Sequence, residues 1–144
     1  MTLNEIILHI KEICLRHNQI NSFQAGMRYN AAQNKGENYP LVWLETPALI
    51  DYTNRTQKRF TMALNVLILA NNDDYVDVVN KQSQTEEIMD DILQALQFFF
   101  KNNMAYENIS GITIENFSDD LAVGCRSDFT IITNRNCDSK ENFK

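Results

Sequence analysis

The side chains that could exchange protons near neutral pH are His9 and His17, and both lie in the first predicted helix. They are eight residues apart, which separates them by about 12 Å along a helix axis. No serine or cysteine stands in a nucleophile-elbow sequence, and the chain has no HExxH motif. We therefore expect both histidines to face solvent and the chain not to be an enzyme. Catalysis would require a pocket that gathers one of them with carboxylates.

Patterns for binding phosphate or metal are also weak. The four glycines are scattered at positions 26, 36, 111 and 124 and form neither GxGxxG nor GxxxxGK. Two acidic groups, Asp73-Asp74-Asp77 and Asp119-Asp120, could hold a hard cation, but neither has the spacing of an EF-hand. Both fall at predicted turns, where aspartate side chains accept hydrogen bonds from nearby backbone. The sequence predicts neither a cofactor nor a bound metal.

Three cysteines are spread along the chain without a CxxC pair. Cys14 and Cys125 occupy positions of the apolar pattern and are predicted to be small core residues, while Cys137 lies near the end of the chain. An odd, widely spaced set favours neither a disulfide framework nor a zinc site. This cysteine usage is typical of a reducing compartment.

Charge and hydropathy narrow the class of partner. A net charge of −6 and a pI near 4.8 argue against a protein that binds nucleic acid by neutralising phosphates. They do not exclude contact with DNA that slides past without sticking. No signal-peptide pattern and no apolar run of about 20 residues is present, so we expect a soluble protein with no membrane partner.

The first half of the chain contains one clear helix and three predicted strands. Thr2 and Glu5 form a capping-box pattern ahead of an apolar stripe, and the helix should end near residues 17–18. Residues 18–38 are predicted to be a long loop. The strands are predicted at 41–44, at 48–54 after a break at Pro47, and at 58–70. The strand at 58–70 is apolar on one face, and its other face becomes apolar toward residue 70. We therefore expect the second half of this strand to be buried on both faces.

The second half contains a helix and a hairpin. Ser83 and Glu86 form another capping-box pattern, so the second helix is predicted to start there and to stop near residues 102–103. The link before it, at 75–82, is either a loop or a brief helical segment. Strands are predicted at 109–117 and 121–133. This order favours a single α+β domain over residues 1–137, with a flexible tail at 138–144. We expect a mostly antiparallel, curved sheet with two amphipathic helices packed on one face.

Aromatic residues suggest where the core ends and contacts begin. Phe98, Phe99 and Phe100 cannot all face one core, because successive helix residues diverge by about 100°. Phe99 and Phe100 continue the buried stripe, which leaves Phe98 either as a satellite core contact or as an interface anchor. Trp43 is predicted to be a core residue.

The order of elements and several local segments resemble the tail-terminator and neck-ring proteins of tailed bacteriophages. The resemblance is greatest to versions from phages of the Bacteroides group, the crAss-like type. It covers most of the chain, apart from residues 24–38. The segments that carry it are INSF at 20–23, YPLVWLE at 39–45, the strand at 58–70 with NNDD at 71–74, DDLAVGCR at 119–126 and NRNC at 134–137.

This resemblance implies a structural protein at the head–tail junction of a virion, assembled in the host cytoplasm. Such proteins form hexameric or dodecameric rings of identical subunits between portal or neck proteins and tail proteins. A curved sheet lines or flanks a channel that DNA passes without specific binding, and the helices lie outside. The family has no catalytic residues to transfer.

Subunit contacts are therefore the functional sites to expect. The candidates are two aromatic residues and a basic cluster, namely Phe23, Phe98, Arg55, Lys58 and Arg59. The basic cluster either contacts an acidic neighbouring ring or forms a plain solvated turn. The alternative function is a small dimeric regulatory module that binds a ligand in the crevice between sheet and helix.

Overall fold

The computed structural model describes residues 1–27, 38–107, 109–117 and 120–135. These residues form a five-stranded sheet and two α-helices, which confirms the predicted α+β class. A short 3₁₀ turn, Lys101–Asn103, follows the second helix. In chain order the elements are α1 (Leu3–Leu15), β1 (Ser22–Gly26), β2 (Leu41–Asp51), β3 (Gln57–Ile68), α2 (Tyr75–Phe100), β4 (Ser110–Phe117) and β5 (Ala122–Asn134).

The strand order across the sheet is β1-β2-β3-β5-β4. Strand β3 is central and pairs with β5 along its whole length, from Gln57 opposite Asn134 to Ile68 opposite Val123. The pairings of β2 with β3, β3 with β5 and β4 with β5 are antiparallel, whereas β1 lies parallel to β2. The sheet is therefore mixed, and β1 and β4 form its two edges.

Strand β1 corrects the prediction of a continuous loop over residues 18–38. Ser22–Gly26 pairs in parallel with Leu41–Glu45. The five residues of β1 carry one large apolar side chain, Phe23, and an edge strand of this kind has no alternation that would reveal it in the sequence. Residues 28–37 of the predicted loop lie outside the described residues.

Strand β2 corrects the predicted break at Pro47. The strand runs on to Asp51, and the pairing register with β3 shifts between Glu45 and Leu49. Strand β1 pairs with β2 only as far as Glu45, so among the described residues the proline lies on an edge without a partner strand, where a missing N–H breaks no ladder bond.

Helix α2 begins eight residues earlier than predicted, at Tyr75. Asp74 caps it by accepting hydrogen bonds from the backbone N–H groups of Val76 and Asp77, at 3.0 and 3.3 Å. Residues 75–82 belong to the helix because Val78 and Gln82 extend its buried stripe. The capping-box pattern at Ser83 is therefore coincidental. The acidic group that could have held a cation instead caps the helix through Asp74.

Both helices pack on one face of the sheet, as predicted, and build the main core. Helix α1 contributes Ile6, Ile10 and Cys14, each fully buried. The other large members of this core are Ile20, Val42, Leu44, Phe60, Met62, Leu64, Val66, Ile88, Met89, Ile92, Leu96, Phe100, Met104, Phe129 and Ile131. The opposite face, here called the open face, carries a smaller buried cluster around Leu41, Trp43, Leu67 and Phe117. The predicted covering of the last half of β3 on both sides is thus confirmed.

The buried thiol of Cys14 should make stability fall at high pH. Burial raises the pKa of this thiol from 9.0 to about 12. A raised folded-state pKa gives a stabilising contribution that is intact below pH 9 and is lost between pH 9 and 12. We expect the wild type to lose about 2.7 kcal/mol from this source between pH 8 and pH 11 and Cys14→Ala to lose none of it, measured by urea unfolding at both pH values.

Ile10→Val is the matched control, because it alters the same helix face without a titratable group. Its unfolding free energy should lie about 1 kcal/mol below that of the wild type at every pH. If Cys14→Ala and the wild type lose stability in parallel above pH 9, the thiol contributes nothing to the alkaline transition.

Candidate functional site

The turn between β2 and β3 is held in one conformation by side chains. The Asn54 carboxamide oxygen accepts a hydrogen bond from the Thr56 N–H at 2.8 Å. The Arg135 guanidinium donates to the carbonyls of Tyr52 and Asn54 at 3.1 and 3.0 Å, and the Arg135 N–H donates to the Thr56 carbonyl at 2.8 Å. Arg55 is exposed at the tip. We call residues 52–56 the basic turn.

The structure spreads the predicted basic cluster over this end of the sheet. Lys58 lies on the helix-bearing face, with its ammonium 5.3 Å from the centre of the Phe60 ring. Arg59 lies on the open face, opposite Asp51 in the β2–β3 pairing. The pKa of the Asp51 carboxyl is lowered, first by the hydrogen bond from the Thr53 N–H and to a smaller extent by the charge of Arg59. Arg55 alone of the three projects beyond the end of the strands.

A groove of about 300 Å³ separates α2 from the edge strand β4. It forms because α2 packs mainly over β3 and β5, and because Gly111 of β4 presents no side chain to fill the space. The Gln82 amide donates to the Ile114 carbonyl at 3.2 Å and ties the two elements together at one end. The groove is lined by Glu86, Met89, Asp90, Leu93, Ile109, Ser110, Gly111, Ile112, Thr113, Cys125 and Ser127.

The groove has an apolar floor and an acidic rim. Met89 and Cys125 are buried in the floor, whereas Glu86 and Asp90 are exposed and lie one helical turn apart on α2. The pKa of the Cys125 thiol is raised, mainly by burial and also by the negative charge of Glu86. The acidic field of the rim therefore reaches into the groove. Helix α2 as a whole carries five carboxylates, at Asp77, Glu86, Glu87, Asp90 and Asp91, and one lysine, Lys81.

An ionic cluster on the open face joins β2 to β5 across β3. The Arg126 guanidinium donates to both carboxylate oxygens of Glu45, at 3.1 and 3.3 Å, and lies 2.9 Å from Asp128. The Asn65 amide donates to Glu45 at 3.1 Å and to the Trp43 carbonyl at 3.2 Å. These contacts, chiefly the bonds to Glu45, raise the pKa of Arg126. The cluster fixes the three strands in register.

The aromatic residues at the end of α2 differ from the prediction in one respect. Phe98 is 81% exposed, which excludes a satellite core contact, because such a contact would be covered. Phe99 does not continue the buried stripe, since it is 46% exposed and its ring packs 4.7 Å from that of His9. Phe100 is buried, as predicted.

The remaining predicted residues lie close to the core. Phe23 packs against the main core from β1 and is half-buried, so only part of its ring is open to contacts. Trp43 is buried as predicted, and its indole N–H donates to the Gly26 carbonyl at 3.1 Å. The prediction that both histidines face solvent is wrong. His9 is half-buried against Phe99, and the His17 side chain is 15% exposed, with Nε2 3.1 Å from Asp91.

Within residues 1–27, 38–107, 109–117 and 120–135, no group of three or more His, Cys, Asp or Glu side chains is placed to hold a metal ion. In that part of the chain no helix has the length and apolar character needed to cross a membrane. Neither histidine lines the groove. No family model matches this chain, and no curated protein matches it either.

Proposed function

We propose that this chain is a non-catalytic structural subunit of a tailed-phage virion, which forms a ring with identical copies at the head–tail junction. In this function the ring joins the portal or neck proteins to the tail and surrounds the DNA channel. The resemblance in the sequence supplies the family, and the distribution of free edges and charges in the fold supports ring assembly.

The observation that carries the proposal is that, among the described residues, the sheet has an unpaired edge on each side. Strand β4 pairs with β5 alone among the described residues, and β1 covers β2 only as far as Glu45. In that part of the chain, the outer edge of residues 46–51 therefore has no strand partner. Unpaired edges are templates for another chain, and two edges on opposite sides suit head-to-tail contacts.

Charge supports the same assignment. The acidic helix α2 and the basic turn lie in different parts of the molecule, so the subunit has electrically unlike surfaces that attract each other between copies. A hexamer would carry six times the formal charge of −6. A negative ring repels the DNA backbone, which lets DNA pass without adhering.

The test is the oligomeric state of the full chain. We expect light scattering during size-exclusion chromatography to give the mass of a hexamer or dodecamer, and negative-stain images to show rings, either for the chain alone or after addition of the portal protein. Particles that remain monomers or dimers in the presence of the portal would overturn the proposal.

The groove between α2 and β4 favours a second candidate, the dimeric ligand-binding module. Its volume of about 300 Å³ and its mixture of apolar floor and polar rim are at the small end of ligand pockets. This function predicts a dimer whose melting temperature rises with a small molecule from a metabolite panel. A ring that forms without any added ligand would exclude it.

A further inference from the structure

We propose that the basic turn of one copy inserts into the α2–β4 groove of an identical neighbour, with Arg55 on the acidic rim and Tyr52 beside the apolar floor. This inference rests on the proposed ring function, because it names the contact that joins one subunit to the next. Both surfaces belong to the same chain, so every subunit would offer one turn and one groove.

Charge complementarity selects the occupant of the groove. Glu86 and Asp90 lie on the same side of α2 and form no ion pair with any described residue; Asp90 accepts one hydrogen bond, from Gln94. Arg55 is likewise exposed, and no described residue forms an ion pair with it. A guanidinium donates up to five hydrogen bonds in a planar fork, which suits two neighbouring carboxylates. Each surface therefore has the charge that the other lacks.

The size and composition of the two surfaces also match. The groove holds one or two large side chains at about 300 Å³, and Met89, Leu93 and Ile109 supply apolar contact for an aromatic ring. Tyr52 belongs to the same turn as Arg55 and is 57% exposed, with the Arg135 guanidinium 5.6 Å from the centre of its ring. Tyrosine and arginine are among the residue types that contribute most binding energy at protein interfaces.

The turn is already fixed before binding. Asn54 caps the backbone of the turn, and Arg135 holds the carbonyls on either side of Thr53. A rigid loop loses little conformational entropy when it docks, so more of its contact energy appears as affinity.

The contact must form between copies. In the strand register, Ala63 lies opposite Asp128, which lies opposite Ser110 of the groove. Gln57, which directly follows the turn, is six residues from Ala63 along β3, or about 20 Å. A turn this far from its own groove can reach only the groove of a neighbour. Because turn and groove are different surfaces, the contact is heterologous and closes into a ring when the rotation allows.

Charge reversal tests the pairing. The first variant is Arg55→Glu, in which the turn of one copy and the groove of the next are both acidic. The second variant combines Glu86→Arg with Asp90→Arg, so that turn and groove are both basic. We expect each variant alone to need about 100-fold more protein to form rings, since like charges across a contact cost several kcal/mol. An equimolar mixture should form rings again, because the two variants can alternate with unlike charges at every contact. Ring formation is measured by light scattering and negative stain.

Two control variants separate this contact from general charge effects. Lys11→Glu reverses an exposed charge on α1, and Glu87→Arg reverses one on α2 outside the groove lining. Both should assemble like the wild type. Circular dichroism and thermal melting should show every variant folded, because all the changed side chains are exposed.

Cross-linking gives a second measurement for a chain that assembles weakly. Arg55→Lys keeps the charge and allows a carbodiimide to join the introduced amine to a carboxylate in direct contact. In a mixture of isotopically light and heavy protein, we expect cross-links between copies at Glu86 or Asp90, identified by mass spectrometry.

The outcomes distinguish this inference from the ring function. Two outcomes would overturn the turn-in-groove contact and leave the ring function standing. In the first, the wild type and both charge-reversed variants form rings equally well. In the second, the mixture of the two variants fails to restore ring assembly. Cross-links from position 55 that map outside α2 and β4 would also overturn it. A wild type that forms no ring with the portal protein overturns the ring function itself.

Discussion

Replacing Gly124 with alanine is expected to prevent the chain from folding or to destabilise it by more than about 4 kcal/mol. Gly124 lies in β5 between Leu67 of β3 and Ile114 of β4. A Cβ atom there would stand 1.9 Å from the Val66 carbonyl oxygen and 2.9 Å from its carbon, which is backbone that cannot rotate away. Gly124→Ala should therefore appear in inclusion bodies, or unfold far below the wild-type temperature in circular dichroism.

Gly26→Ala is the matched control for this substitution. Its added Cβ would lie 3.3 Å from the rim of the Trp43 ring, a side chain that can shift by a few tenths of an ångström at the edge of the sheet. We expect a loss below about 1 kcal/mol and a protein that still purifies as the wild type does. Equal behaviour of the two variants would mean that β3 and β5 are less closely apposed at Gly124 than the structure shows.

The parts of the fold that the sequence predicted are those with dense local signals. The central strand alternates from Phe60 to Val66 without interruption, so both of its faces could be assigned before the structure was known. By contrast, β1 has one large apolar residue, Phe23, and it pairs with a segment distant in sequence, Leu41–Glu45. The start of α2 was misplaced because Gln82, a polar residue buried in its stripe, hides the helical period ahead of Ser83.

The candidate site likewise has one part that local sequence indicates and another part that depends on contacts between distant segments. Arg55 could be singled out from the residues alone because it stands close to Lys58 and Arg59 in the sequence, although the structure places the three side chains on different surfaces. Arg135, which holds the basic turn, reaches it only through the pairing of β3 with β5, and no local pattern indicates that contact. The groove also depends on a distant apposition, that of α2 with β4, so composition and periodicity do not reveal it.

The second large effect is expected at the ionic cluster of the open face. Arg126→Met should lower the free energy of unfolding by about 2 to 3 kcal/mol, measured by urea denaturation. Methionine keeps much of the apolar stem but removes the charge that faces Glu45, whose side chain is only 18% exposed. Glu45 would then keep the hydrogen bond from Asn65 but lose both bonds from the guanidinium. Removing one partner of a mostly buried ion pair destabilises a fold more than the intact pair stabilises it.

Two further variants locate the source of this loss. Asp128 is the more exposed partner of Arg126, with 44% of its side chain exposed. Asp128→Asn should lower the free energy of unfolding by less than about 1 kcal/mol, because surface ion pairs are weak. Glu45→Gln combined with Arg126→Met should recover part of the lost stability, because the negative charge at position 45 is then removed while the hydrogen bond from Asn65 can remain. If Arg126→Met costs no more than Asp128→Asn, the cluster is a surface feature, and the register of β2, β3 and β5 is held by the core beneath it.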